Sequence, residues 1–284
     1  MPRIHLRKFE ATGNDFLVLV DLDDQWRSAL TPEMRAHLCD RERGIGADGL
    51  IRVLPGTSGA PLTFELTNAD GGPAEMSGNG MRCLAAVAVW DGLVPGTVFD
   101  VATPAGVKRV EYAETTEGAF ARVDMGPASF EPDVIPVDAD SAFGLEASAG
   151  PDVFSGDAAG MGNPHFVVFV DDPDAVPVAE VGPVLEHDAR FPHRTNVEFV
   201  CVPARDRIRM RVWERGVGET QSCGTGACAA AAVSARRGLV DSPVTVEVPG
   251  GRLTVELGAT IWLGGPVSHV TDATVDLVEL GGGA

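Results

Sequence analysis

Short apolar runs, punctuated by Gly, Pro or Asp, recur along most of this chain. FLVLVD (16–21), LIRVL (50–54), VKRVEY (107–112), FARVDM (120–125), HFVVFV (165–170), VEFVCV (197–202), RIRMRVW (207–213), VTVEVP (244–249) and LTVEL (253–257) are each short and rich in branched residues. That pattern predicts β-strands. Longer stretches with helical composition are few: about 31–42, 78–92 and 224–238. The last is alanine-rich with small side chains all round, which suits a helix surrounded by other elements. The stretch 131–160 is acidic and rich in Pro, Gly and Ala, and is placed among strands and loops early in the second half. The chain therefore reads as an α+β protein, with strands wrapped around a buried helix in each half.

The halves resemble each other. Ser77-Gly78-Asn79-Gly80 precedes a run of small and apolar residues, and so does Cys223-Gly224-Thr225-Gly226, 146 positions later. Three further landmarks follow at nearly the same offset. Gly13-Asn14-Asp15-Phe16 matches Gly162-Asn163-Pro164-His165-Phe166, Asp48 matches Asn196, and Asn68 matches Glu214. Four polar landmarks in the same order argue for a duplication, with one helix opening at a Gly-x-Gly turn in each half.

Composition narrows the class. The chain has 284 residues, 44% of them hydrophobic, enough for one large or two ordinary domains with a real core. No apolar run is long enough to cross a bilayer, and the N-terminus lacks the apolar segment of a secretory signal, so a cytoplasmic protein is expected. The net charge of −19 disfavours nucleic-acid and membrane partners. Arg205, Arg207, Arg209 and Arg211 alternate as one solvated strand face would. Lys8 and Lys108 are the only lysines, which lowers the case for a Schiff-base cofactor. Five cysteines without CxxC pairs favour neither disulfides nor structural zinc. Cys39, Cys83, Cys201 and Cys228 are assigned to the core, Cys83 alternatively to a supporting position behind a site.

A helix N-terminus offers free N–H groups and partial positive charge, and glycines there let a ligand approach. Such a site binds a carboxylate, and it favours the thiolate of a capping cysteine such as Cys223. Inverting a carbon centre without a cofactor needs two acid/base groups on opposite faces, N–H donors on the carboxylate and a closing cleft that excludes water. Two paired helix starts would supply this.

These motifs carry a resemblance. GNDF (13–16), GIGADG (44–49), NADG (68–71), EMSGNGMRC (75–83), GNPH (162–165), RTNVEF (194–199), ERGVGET (214–220) and CGTGACA (223–229) span nearly the whole chain, which resembles the diaminopimelate epimerase family. The resemblance implies two pseudo-symmetric domains, each a strand-rich barrel around a central helix. Residues 1–120 with 269–284 would form the first and 121–268 the second. It implies interconversion of LL- and meso-diaminopimelate, for lysine and peptidoglycan precursors, by two opposed cysteines with no cofactor and no metal. By the same resemblance Cys223 is one base. Gly78, Asn79, Gly224 and Thr225 cradle the reacting carboxylate. Asn14, Asn68, Asn163, Asn196, Glu214 and Arg215 hold the distal end, and His165 lies near the reacting amine or thiol. Relatives often form dimers, so a homodimer is among the expectations. Taken singly, Asn14, Asn68 and Asn163 could serve turns, and Glu214 with Arg215 could be a surface pair.

The chain departs from the family at Ser77, where a cysteine is usual; at Gly49 some relatives carry glutamine. A hydroxyl is a far weaker base than a thiolate. Cys83, six residues on, points elsewhere on the helix and does not replace it. Four readings follow: a working Ser/Cys epimerase, an enzyme acting on one face only, a changed substrate, or a replacement that stops turnover or oxidation. A non-catalytic amino-acid-binding relative and another cofactor-independent racemase or isomerase of the same fold are the rival functions.

Overall fold

The computed structural model describes residues 3–74 and 76–276. Glu75 of the EMSGNGMRC motif and the outermost residues of the expected first domain lie outside this range. Two compact units emerge: residues up to Val123 with the chain from Gly265 onward, and Asp124–Gly264.

In the first unit β1 (Arg3–Ala11) and β2 (Asn14–Val20) form a hairpin closed by Thr12 and Gly13, at φ 54° and 86°. Two positive φ values match the right-handed strand twist. Helix α1 (Pro32–Cys39) starts at the Thr31 cap and leads to β3 (Gly49–Pro55), which runs parallel to β2. β4 (Leu62–Asn68) returns antiparallel to β3 and carries the short β5 (Pro73–Ala74). Helix α2 (Gly78–Trp90) follows, then β6 (Val98–Thr103) parallel to β4, and the antiparallel β7 (Gly106–Thr115) and β8 (Gly118–Gly126).

The second unit opens with β9 (Leu145–Ala149), β10 (Asp152–Gly160) and β11 (Pro164–Phe169), followed by α3 (Val178–Glu186). β12 (Asn196–Ala204) runs parallel to β11, and β13 (Arg207–Glu214) pairs antiparallel with it and with β14 (Gly218–Thr220). Helix α4 (Gly224–Arg236) leads to β15 (Val244–Val248), parallel to β13, then to β16 (Gly251–Leu257) and β17 (Ile261–Pro266). The chain closes as β18 (Ser268–Asp276), antiparallel to β1.

The two pairing schemes coincide strand for strand. β1 to β8 repeat as β10 to β17, with the same sequence of parallel and antiparallel neighbours, and α2 repeats as α4. Each of these helices has 13 residues and packs inside the strands of its own unit. α2 is buried from Gly78 to Ala88, and α4 from Gly226 to Ser234. A helix buried on every side needs small or apolar residues all round, which both sequences provide.

The register corrects one part of the sequence repeat. Phe16, Gly49 and Asn68 lie side by side across β2, β3 and β4. His165 pairs with Asn196, and the β12–β13 register carries that row on to Glu214. Gly49, not Asp48, therefore occupies the place of Asn196, and Phe16 that of His165. Continuing along the strands, Ile51 occupies the place of Glu198.

One element departs from the sequence reading. Helix α3 contains Gly182 and Pro183, which disguise it as a loop. A Cβ at Gly182 would lie 2.6 Å from the Trp213 ring, so close packing of α3 on β13 requires glycine. The 131–160 stretch contributes β9 and β10, and buries Ala147, Ala158 and Ala159. The arginine alternation on β13 is a solvated face as expected. Arg209 pairs with Asp172 and Asp174, and Arg211 with Glu219, while Ile208, Met210 and Val212 point inward. Cys39, Cys83 and Cys228 are buried as expected, whereas Cys201 is only half-buried. No described helix is long and apolar enough to cross a membrane.

Candidate active site

The chemistry gathers at the heads of the two buried helices. Cys223 caps α4, and its Sγ accepts a hydrogen bond from the Gly226 N–H at 3.4 Å. Thr225 Oγ1 lies 3.5 Å from the same sulfur. Three titratable side chains of the second unit surround this cap. His165, fully buried on β11, has Nδ1 2.7 Å from Glu198 Oε1 and Nε2 2.8 Å from Asn163 Oδ1. Glu198 is fully buried on β12 beneath the first turn of α4: a Cβ on Gly226 would lie 2.7 Å from its Oε1 and 3.3 Å from Cys223 Sγ. Glu214, at the end of β13, accepts from Thr220 Oγ1 at 2.5 Å, and its charge acts on the Cys223 thiol.

This environment opposes the effect of the helix terminus. The helix terminus was expected to favour the Cys223 thiolate. Instead burial, then the negative charges of Glu214 and Glu198, raise the thiol well above its ordinary range, and the Thr225 and Gly226 contacts do not compensate. Burial likewise raises Glu214. Both the Cys223 thiol and the Glu214 carboxyl group are thus shifted toward their protonated forms. Glu214, which the resemblance places at the distal end of the substrate, lies in the same unit, where its charge acts on Cys223.

The remaining residues of this unit build the walls. Asn196 is buried, donates to Pro164 O at 2.9 Å and accepts from the Arg215 backbone N–H at 2.9 Å. Its amide thereby fixes the turn that carries Arg215, whose guanidinium reaches His193 O at 3.2 Å. Glu186 supports the same turn from below, accepting from Trp213 Nε1 at 2.7 Å and Gly216 N at 3.0 Å. Asn163 meets His165 directly. Gly224 is buried and Thr225 half-buried in the first turn of α4, where free N–H groups are presented.

The first unit repeats the backbone without the chemistry. Ser77 caps α2 with nearly the same dihedrals as Cys223, φ −133° and ψ 121° against −122° and 112°. Its Oγ accepts from Gly80 N at 3.0 Å, a strong N-cap arrangement. Beneath it the floor is apolar: a Cβ on Gly80 would meet Ile51 Cδ1 at 3.2 Å and Phe64 Cζ at 3.4 Å. Where the second unit carries His165, Glu198 and Glu214, the first carries Phe16, Ile51 and Asn68.

Asn79, in the first turn with Gly78, donates to Asn14 Oδ1 at 2.6 Å, and Asn14 Nδ2 donates to Asp48 Oδ2 at 3.1 Å. Asp48 also accepts from Arg41 at 2.7 Å, and Arg41 bridges to Asp15. Burial opposes ionisation of Asp15, yet Arg41 and Lys8 hold its carboxyl below the usual range. Arg82, buried in α2, donates to Thr12 Oγ1 at 2.7 Å and pins the hairpin turn that presents Asn14. Asn68 is exposed at the end of β4, its backbone closing the turn to Gly72. A surface cleft of about 600 Å³ in this unit, lined by Arg27, Phe64, Glu65 and Thr103 among others, contains none of the candidate residues.

Sequence reasoning missed Glu198, Asp48 as the anchor of Asn14, and Glu186. Glu198 left one signal: a lone charge inside the otherwise apolar run VEFVCV. Among the described residues no cluster of His, Cys, Asp and Glu is arranged to hold a metal ion.

The duplicated topology, with a glycine-headed buried helix in each unit, defines a class, the diaminopimelate epimerase-like fold. A hydroxyproline epimerase from Agrobacterium vitis shares it with a TM-score of 0.71 at 18% identity, covering 96% of this chain and 92% of that one. A phenazine biosynthesis protein of the PhzF family from Bacillus anthracis does so at 0.69 and 17%, covering 97% and 100%. Within that class the sequence matches the diaminopimelate epimerase family model over residues 8–131 and 158–262. Diaminopimelate epimerase of Halorhodospira halophila is 44% identical, with 95% of this chain and 94% of that protein covered. That of Synechococcus elongatus is 40% identical over 96% and 99%. The chain belongs to the diaminopimelate epimerase family.

Proposed function

We propose that this protein interconverts LL- and meso-2,6-diaminopimelate by proton transfer at Cα, without a cofactor. Cys223, buried at the head of α4 with the Gly226 N–H and Thr225 Oγ1 at its sulfur and Glu198 beneath the same turn, carries this reading. On this account Cys223 is one acid/base group and Ser77 the other. Glu214 receives the thiol proton when Cys223 must act as a base, and His165 lies in the same half-site. The first-turn N–H groups of α2 and α4, with Gly78, Asn79, Gly224 and Thr225, bind the reacting carboxylate and gain strength as enolate charge develops. Asn14, Asn68, Asn163 and Asn196 bind polar atoms of the distal amino-acid group. Arg215 binds the distal carboxylate, to which its planar fork is matched. The same proposal includes a cytoplasmic location and a homodimer.

A second reading rests on the floor beneath Ser77. With Ile51 and Phe64 there, the described floor beneath that hydroxyl is apolar, so exchange at the Cys223 face alone, without inversion, follows naturally. Cα hydrogen exchange in deuterated water, followed by NMR for each isomer with a Cys223→Ala control, separates the two. Exchange with inversion from both isomers establishes the epimerase. Exchange from one isomer with retained configuration establishes the one-sided enzyme. Binding without exchange overturns both.

A further inference from the structure

The duplicated units differ most sharply at one buried position. Ile51 in the first unit lies against Gly80, and Glu198 at the same place in the second lies against Gly226. Burying a carboxyl group under a helix costs stability unless it is put to use, and an isoleucine fits this place in the repeated framework. Glu198 is fully buried. Its Oε1 lies 2.7 Å from His165 Nδ1, and its Oε2 has no hydrogen-bond partner. A nitrogen and an oxygen at that separation share one proton, whichever of them carries it. The other ring nitrogen faces Asn163 at 2.8 Å.

We propose that Glu198 is a positioning residue for the Cys223 half-site: its carboxyl group holds a proton at the Nδ1 edge of His165, fixes the ring, and so leaves the Nε2 edge, at Asn163, as the face that works with substrate. A carboxyl group bound to one imidazole nitrogen selects the tautomer and the ring orientation in this way. The same oxygen crowds Gly226 beside Cys223 Sγ, so one carboxyl group touches both the histidine and the helix turn that caps the thiol. The titratable groups facing His165 and Cys223 from their neighbours are Glu198 on β12 and Glu214 on β13. The first unit has neither, and there the equivalent of His165 is Phe16. The inference rests on the epimerase reading for its catalytic consequence, but not for the hydrogen bond itself.

Two substitutions test it. Glu198→Gln keeps the shape and an acceptor but removes the acid, and Glu198→Ile reproduces the first unit. Nitrogen-15 NMR of the six histidines, with the His165 signals identified by their loss in His165→Asn, reads the hydrogen bond without any substrate. The expected result is a far-downfield Nδ1 proton on His165 in the unsubstituted protein, weakened in Glu198→Gln and gone in Glu198→Ile. In the exchange assay Glu198→Gln lowers kcat about ten-fold, in the range seen when a group behind a ligand is lost, with KM little changed. Glu198→Ile lowers it further. An Nδ1 proton unchanged in Glu198→Ile, or kcat unchanged in both variants, overturns the proposal. If the unsubstituted protein exchanges no diaminopimelate, the epimerase reading falls, and the NMR comparison alone decides the role of Glu198.

Discussion

Ser77 and Cys223 show how differently one backbone site can be furnished. Both cap a 13-residue helix, and serine is the better cap by hydrogen bonding. It is the worse base, because a hydroxyl starts many pH units above a thiol. Ser77→Cys should therefore raise the rate of epimerisation by roughly 10²-fold or more, the scale of a positioned acid/base group, with little change in KM. Steady-state rates from both isomers check this. An unchanged rate would show that the Ser77 position does not limit turnover. Cys223 was legible from the sequence as a candidate acid/base group because CGTG precedes an alanine run. Its protonation was not, since burial and the charges of Glu198 and Glu214 depend on how β12 and β13 pack around the head of α4. The sequence rule at a helix terminus is local, and here the tertiary surroundings outweigh it.

Among the elements, strands with branched residues between turn signals were readable, and so were the two glycine-headed helices. α3 was not, because Gly182 and Pro183 serve its packing on Trp213 rather than its helicity. The repeat was read with a one-residue slip at Asp48, because the helical connection from β2 to β3 is longer than that from β11 to β12 and the sequence offset drifts. Strand register, fixed by hydrogen bonding, removes the ambiguity. The equivalent glycines of α2 and α4 then make an internal comparison. Alanine raises helix propensity by about 1 kcal/mol at either position. At Gly80 the added methyl presses on Ile51, Phe64 and the Ser77 Cβ at 3.2–3.4 Å, contacts that a small shift relieves. At Gly226 it would lie 2.7 Å from the Glu198 carboxyl oxygen. Gly80→Ala is thus expected to leave thermal stability within about 1 kcal/mol of the parent. Gly226→Ala should cost about 1–3 kcal/mol, the range for overpacking, and most of the activity. Calorimetry with exchange rates on both variants checks this, and equal behaviour would contradict the different floors described for the two helices.

At the scale of the whole molecule, buried thiols in both units tie stability to alkaline pH. Burial pushes Cys39 and Cys83 up to about 12, and burial with two carboxylates raises Cys223. In the unfolded chain each of these thiols ionises near its ordinary value of 9.0, while the folded protein holds it protonated. A folded-state value above the unfolded one contributes stability that is complete below pH 9 and lost as pH rises toward the folded value. Each such thiol removes up to about 1.4 kcal/mol per pH unit across that window. Tyr112, raised to about 12 by burial and Glu114, adds to the loss once pH exceeds its ordinary value of 10.0. Urea midpoints under reducing conditions should be level from pH 7 to 8.5 and fall steeply between 9 and 11. Cys83→Ala, deep in α2, should make that fall shallower even where it lowers the midpoint at neutral pH. A slope unaffected by the substitution would mean that the α2 core lets the thiol ionise in place, contrary to its complete enclosure in the fold.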